Sequence, residues 1–391
     1  ALNNPATFDA AAAQVQALVG IPASMPAADT TPMPAAPPAD SASELDKLLG
    51  RSGSQPVARP QTPKFDINAL IGNIVKDHVV ADPNPRQKEL TALIDQAMFG
   101  QLGSILHNPV FQRVESAWRG VQMLVSRLNL DDALKLFLLD ASRDELVADL
   151  AREDISQSGL YKLLVEQTVH TPGAHRWAAI AVDEYFGLSR DDAALLARLG
   201  TIAQHAGAAM VAGATGDIVG CPGLDVAADP DRWTLPADRT WWTRLRGMPV
   251  ARQIALAWPR ILMRLPYGKS NENTEIGFEE GEGRLPHEQY LWGNPACACL
   301  YALGQAFLEN GWDMQAGGFV EIDDLPMHSF SEHGEMQVQA PAEAYLTDRA
   351  SARIASAGII PVLSIKNMNA ARFARFSSIA EPSAALAGSW T

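Results

Sequence analysis

Between residues 133 and 214, apolar runs of strand length alternate with amphipathic runs of helix length, and this alternation limits the possible folds more than any other feature. "ALKLFLLD", residues 133 to 140, is apolar almost throughout, the pattern of a strand covered on both faces. "SRDELVADLA" follows, with Ser142 and Glu145 at capping-box spacing. "GLYKLLVEQTV" then reads as a helix and "WAAIAVDEYF" as a strand. "SRDDAALLARLGTIAQHAG" is a helix begun by Ser189, and "AAMVAGAT" is the next strand. Parallel neighbours need a long crossover, whereas antiparallel ones need only a tight turn, so helices between the strands imply parallel pairing. The expected class is α/β, with a mixed, largely parallel sheet and flanking helices. Further on, "PRILMRLPYG" reads as a strand or helix, "NPACACLYALGQAFLENG" as a helix and "GIIPVLSIKN" as another apolar segment.

Ahead of this body the composition changes. Residues 1–63 are rich in Pro, Ala and Ser and lack the apolar content needed to offset chain entropy, so a flexible extension with short helices is expected there. Within it, "SASELDKLLG" sets Ser41 three residues before Glu44 and ends at Gly50, which predicts an isolated helix presenting Leu45, Leu48 and Leu49. So short a helix is barely stable alone and makes most sense as a docking peptide. Residues 64–130 are read as a helical segment, and 131–391 as the α/β body.

The helical segment holds "HNPVFQRVESAWRGVQMLVSRLNL", where Phe111, Val114, Trp118, Val121, Val125 and Leu128 recur at spacings of three and four. Such spacing forms one stripe on an α-helix and predicts a buried packing face. Asn108 and Pro109 supply an N-cap and a first helical residue, and Arg119 falls outside the stripe, free to pair with a carboxylate.

No run reaches the length of apolar sequence that spans a bilayer, and the first residues lack a basic region followed by an apolar one, so no membrane insertion is expected. A net charge of −14 disfavours nucleic acid as a partner. Cys221, Cys297 and Cys299 fit neither a C-x-x-C redox motif nor a zinc knuckle, which suits a reducing, cytoplasmic setting. His328 and His333 lack a cysteine half to complete a finger. Glu279, Glu280 and Glu282 with His287 could supply a carboxylate pair or a metal ligand set, with a soluble hydrolase as the remote alternative, but no H-E-x-x-H or helical i, i+4 spacing aims them together, and a solvated acidic loop is the simpler reading. Nucleophile elbows, phosphate loops and dinucleotide fingerprints are missing, so no catalytic residue, metal or cofactor is expected.

Six segments carry a resemblance: "LHNPVFQRVESAWRGVQMLV", "VEQTVHTPGAHRWAAIAVDEYF", "RILMRLPYG", "YLWGNPACACLYALGQAFLENGW", "EIDDLPMHSF" and "AYLTDRASARIASAGIIPVLSIKN". In order and separation they resemble the large contractile-sheath subunit of bacterial type VI secretion systems, the TssC or VipB family. The resemblance implies a structural protein that pairs with the small subunit TssB and stacks with other sheath subunits around an inner Hcp tube. It further implies recycling by the AAA+ unfoldase ClpV, with "SELDKLLG" as the docking peptide. Phe111, Val114, Trp118, Arg119, Val121 and Val125 would then lie where the large subunit packs with TssB. Trp292, Gly293 and Asn294 of "YLWGN", with Asp324 and Pro326 of "DDLP", would be turns and helix starts that fix the fold. Members of the family continue beyond a segment corresponding to "ARFARFSSIAEP" into strands exchanged between neighbours. A non-polymerising accessory or capping paralogue that binds TssB is therefore a rival expectation.

Overall fold

The computed structural model describes residues 85–390, apart from 269–270, 272–276, 282, 315–319 and 374. The helix expected to present Leu45, Leu48 and Leu49, the rest of the Pro/Ala-rich extension and the start of the helical segment lie outside the described residues. Pro83–Thr391 forms one compact unit, so the helices preceding residue 130 and the sheet body pack together.

Two helices come first, α1 (Pro85–Leu106) and α2 (Pro109–Arg127). The Asn108 side chain accepts from the amides of Val110 and Phe111 at the start of α2, and Pro109 occupies the position where no donor is needed. Helix α3 (Arg143–Leu150) is closed by the capping box: Ser142 N donates to Glu145 Oε2 at 2.8 Å and Glu145 N to Ser142 Oγ at 3.3 Å. A short turn, α4 (Gly159–Tyr161), runs into a π-helical stretch at Lys162–Glu166. Then come β1 (Ala179–Phe186), α5 (Arg190–Ala206), β2 (Ala209–Ala214), α6 (Thr240–Arg246) and β3 (Ile254–Trp258). Ser189 caps α5, which ends at Gly207 with φ 71°, the left-handed conformation that Gly adopts without strain.

A two-stranded ladder, β4 (Ile261–Leu262) with β5 (Trp292–Gly293), leads to α7 (Pro295–Asn310), capped by Asn294. There follow β6 (Val320–Ile322), the hairpin β7 (His328–Glu332) and β8 (Glu335–Gln339), α8 (Asp348–Ser356), β9 (Ile359–Ser364) and β10 (Ala371–Phe373). The main sheet has the order β1-β2-β3-β9-β10-β6. Its first four strands are parallel, and β10 runs antiparallel to both β9 and β6. This is the mixed, largely parallel α/β sheet expected from the alternation.

Side chains of a strand alternate between faces, so β2, buried throughout, feeds two cores. Met210 and Ala212 join Leu196, Ile202 and Leu256 beneath α5. Ala209 and Val211 join Ala298, Ala302, Ile360 and Phe373 beneath α7. Helix α5 approaches closely at Gly200, where a Cβ would stand 2.6 Å from Ile254 Cδ1.

Two segments depart from the expected elements. Residues 133–140 form no strand, and Phe137, Leu138 and Leu139 are exposed. "PRILMRLPYG" contributes only β4, because the chain turns at once to build the polar cluster described next.

Candidate functional site

Helix α2 is apolar on two sides. Gly120, Met123 and Leu124 are buried, and a Cβ on Gly120 would lie 3.2 Å from Cys297 Cβ, so this face lies against α7. Beyond the helix end, Leu128 is buried, with its Cδ atoms 3.0 Å from where a Cβ on Gly304 would stand. At roughly 100° per residue, Trp118 lies about half a turn from Gly120 and faces outward. It is 63% exposed, with Phe111 at 40% and Val114 and Val125 at 53% each. Val121 is half-buried. The expectation that this stripe packs inside the chain is therefore corrected for Phe111, Val114, Trp118 and Val125: α7 takes the narrow face that Gly120 opens, and of the stripe only Leu128 is buried. Helix α1 adds exposed Leu90, Leu93, Ile94 and Met98, again at helical spacing. Its spacing in the sequence carries the same helical signal as the α2 stripe.

A polar cluster holds α2 to the body. Arg119 Nε donates to Glu115 Oε1 at 2.8 Å, as the placement of Arg119 outside the stripe suggested, and Arg264 Nε donates to the same oxygen at 2.8 Å. Arg264 also grips Glu280 with both terminal nitrogens, at 2.6 and 2.9 Å. Glu280 accepts further from the Tyr267 amide at 2.8 Å and meets His107 Nε2 at 3.0 Å. Burial alone would raise the Glu280 pKa, but Arg264 and these donors together hold it below the ordinary glutamate range. The reading of 279–287 as a solvated loop is corrected for Glu280, whose side chain is fully buried in this cluster, while Glu279 is exposed and Glu282 lies outside the described residues. No sequence signal marks such a cluster, because its members are separated by up to 173 positions.

The remaining sequence candidates take structural places. His287 is not paired with Glu280; it stacks on Trp292 with centroids 5.2 Å apart and meets Glu343 Oε1 at 2.8 Å. Burial would raise the pKa of Glu343, but His287 and Arg260 hold it down. Gly293 sits in β5, where a Cβ would clash with Met263 Cγ at 2.4 Å. Asn294 caps α7 through Ala296 N and donates to Glu184 O at 3.0 Å, linking α7 to β1. Asp324 has φ 54° and pairs with Arg127, and Pro326 lines a cleft of about 170 Å³ with Arg119, Gln122 and Leu262. The cleft brings Arg119, Asp324 and Pro326 together beside the α2 stripe.

His328 is buried and meets the Tyr290 hydroxyl at 2.9 Å, whereas His333 sits at the hairpin tip with φ 53°. Burial pushes the Cys297 thiol up to about 12 and raises Cys299 as well, so neither is a thiolate at neutral pH. Among the described residues no cluster of three or more His, Cys, Asp or Glu could hold a metal ion, and no helix is long and apolar enough to cross a membrane.

The described residues thus form a mixed α/β sheet flanked by a helix that shows apolar side chains outward. Residues 88–380 match the VipB family, described as EvpB/VC_A0108, tail sheath N-terminal domain. The chain is also 30% identical over 308 residues to the type VI secretion system sheath protein TssC1 of Pseudomonas aeruginosa, across 75% of this chain. It spans about 61% of that relative's length. The chain belongs to the TssC/VipB family of type VI secretion sheath proteins, a structural family and not an enzymatic one.

Proposed function

We propose that the chain is a structural subunit of a bacterial type VI contractile sheath, working in the cytoplasm. In this reading it pairs with the small subunit TssB, and the pairs stack with other sheath subunits around an Hcp tube that contraction drives outward. The observation that carries it is the outward stripe of α2. Monomeric proteins seldom expose large contiguous apolar patches, and buried Trp is a characteristic anchor of protein interfaces. The polar cluster behind the stripe supports the same reading, since Arg264, Glu115 and Glu280 hold α2 in place before any partner arrives. Leu45, Leu48 and Leu49 are proposed as the contact for ClpV, which would dismantle the contracted sheath. Contraction would then draw on subunit interfaces with two stable arrangements and needs no active site.

Co-expression with TssB and affinity purification tests the pairing. A stoichiometric complex is expected, and recovery of this chain alone under conditions where TssB is soluble overturns the reading.

A further inference from the structure

Charge is unevenly divided along the chain. Residues 285–348 contain neither Lys nor Arg, whereas residues 232–264 hold seven arginines and a single acid, Asp238. The fold carries this division to the two ends of the main sheet. Strands β1, β2, β3 and β9 are parallel and all begin at one end, where antiparallel β10 finishes. Arg176 precedes β1 there, Arg252 precedes β3 and Arg375 follows β10. The C-terminal segment joins them into one face: Leu386 N donates to Phe376 O at 3.4 Å, Ala387 N donates to Arg252 O at 2.8 Å, and Ser389 Oγ lies 3.2 Å from Trp177 O. All three arginines are exposed, and among the described residues none has an ion-pair partner. The carboxylate of the segment, Glu381, is held by Arg246 at 2.6 Å.

At the opposite end, Ile261 bridges Ala342 just past β3, and the β7–β8 hairpin leads into that bridge. His328 and Phe330 bury its base, whereas every residue from Ser331 to Gln337 is exposed, with Met336 at 71%. Glu332 and Glu335 are cross-strand partners near its tip. Like charges directly opposite each other destabilise a ladder, and a two-stranded hairpin has little stability to spare. Arg284 is the nearest basic residue in the sequence before the hairpin, and it forms no salt bridge with either glutamate. The hairpin tip therefore lacks a cationic partner, and the arginine face lacks an anionic one.

We propose that the β7–β8 hairpin of one copy docks on the arginine face of a second copy, with Glu332 and Glu335 meeting Arg176, Arg252 and Arg375. Met248, 37% exposed in the turn between α6 and β3, gives Met336 an apolar contact. The two surfaces stand at opposite ends of the strands and cannot meet within one chain. Each copy offers both, so the contact is head-to-tail and continues from copy to copy. A net charge of −14 makes undirected approach of two copies repulsive, so local complementarity selects this orientation. The inference rests on the proposed stacking of sheath subunits and names the surfaces that meet.

Sedimentation velocity of the full chain, alone and co-expressed with TssB, tests it through two charge reversals. One carries Glu332→Arg and Glu335→Arg on the hairpin, the other Arg176→Glu and Arg252→Glu on the face. Native protein should associate as its concentration rises and dissociate in salt, which screens exposed charges. Either reversal alone sets like charges against each other and should weaken association by on the order of 10-fold or more. Equimolar mixing of the two variants should restore it, because each then offers the charge that the other lacks, and two misfolded chains would not do so. Native protein that stays a single unit, reversals without effect, or a mixture that fails to recover each overturn the docking. TssB pairing is read on the same samples: an intact pair that does not associate overturns the docking alone, whereas absence of the pair counts against the sheath reading.

Discussion

Glu280 lies fully buried among Arg264, His107 and the Tyr267 amide, and its charge is the condition for that arrangement. Removing one member of a buried ion pair leaves its partner's charge uncompensated, at a cost of about 3–5 kcal/mol. Glu115 still meets Arg264 at 2.8 Å, so Glu280→Gln should lie near the lower end, about 3 kcal/mol, read from urea unfolding. Glu280 and Glu343 are both held below the ordinary glutamate range, so each contributes stability above the unfolded-state value of about 4.3 and loses it as pH falls through the lower folded-state value. The acid limb of the stability profile should therefore lie below about pH 4 and flatten in Glu280→Gln. Trp118 is the opposite case, because its side chain meets water. Trp118→Ala should change stability by no more than about 0.5 kcal/mol, the usual range for surface substitutions. A loss of 3–5 kcal/mol, typical for deleting a buried Trp, would show that the helix is rotated from the orientation described.

At the scale of elements, α2 depends on one small residue. Gly in a helix interior costs up to about 1 kcal/mol relative to Ala, and Gly120 is tolerated because α7 passes so close at Cys297. Gly120→Leu would have to displace Cys297 and Met263, and overpacking of this kind typically costs about 1–3 kcal/mol. Thermal unfolding should show the loss, and an unchanged melting temperature would mean that the two helices are not in close contact there. Elements defined by local chemistry were legible: the Asn108, Ser142, Ser189 and Asn294 caps and the strands β1 and β2 follow from capping residues and periodicity, whereas the segment that forms β9 was legible only as apolar. The outward turn of the α2 stripe was not legible, since periodicity says that a face is apolar and not what covers it. The strand read at 133–140 failed for the same reason, because its composition suits a ladder that no described strand of this chain supplies. The Arg264–Glu280 cluster was hidden by distance along the chain and by a run of glutamates that looks solvated.

For the whole molecule, the proposed function places assembly in the unit from Pro83 onward and recycling in the peptide containing Leu45, Leu48 and Leu49. Replacing Leu48 and Leu49 by Ala should weaken binding of residues 38–54 to the ClpV N-terminal domain by several kcal/mol, since each buried Leu contributes about 1.5–3 kcal/mol. Pairing with TssB should be untouched, and equal affinity of the native and substituted peptides in a titration would remove the docking role. The central claim is that the outward face of α2 is a subunit interface. Its most direct test is the affinity of the chain for TssB measured beside the double variant Val114→Asp, Trp118→Asp. The account predicts a complex for the native chain, at least a 100-fold weaker one for the variant, since two interface anchors of about 1.5–3 kcal/mol each are lost, and the same melting temperature for both free chains. A variant that binds TssB as tightly as the native chain would contradict it.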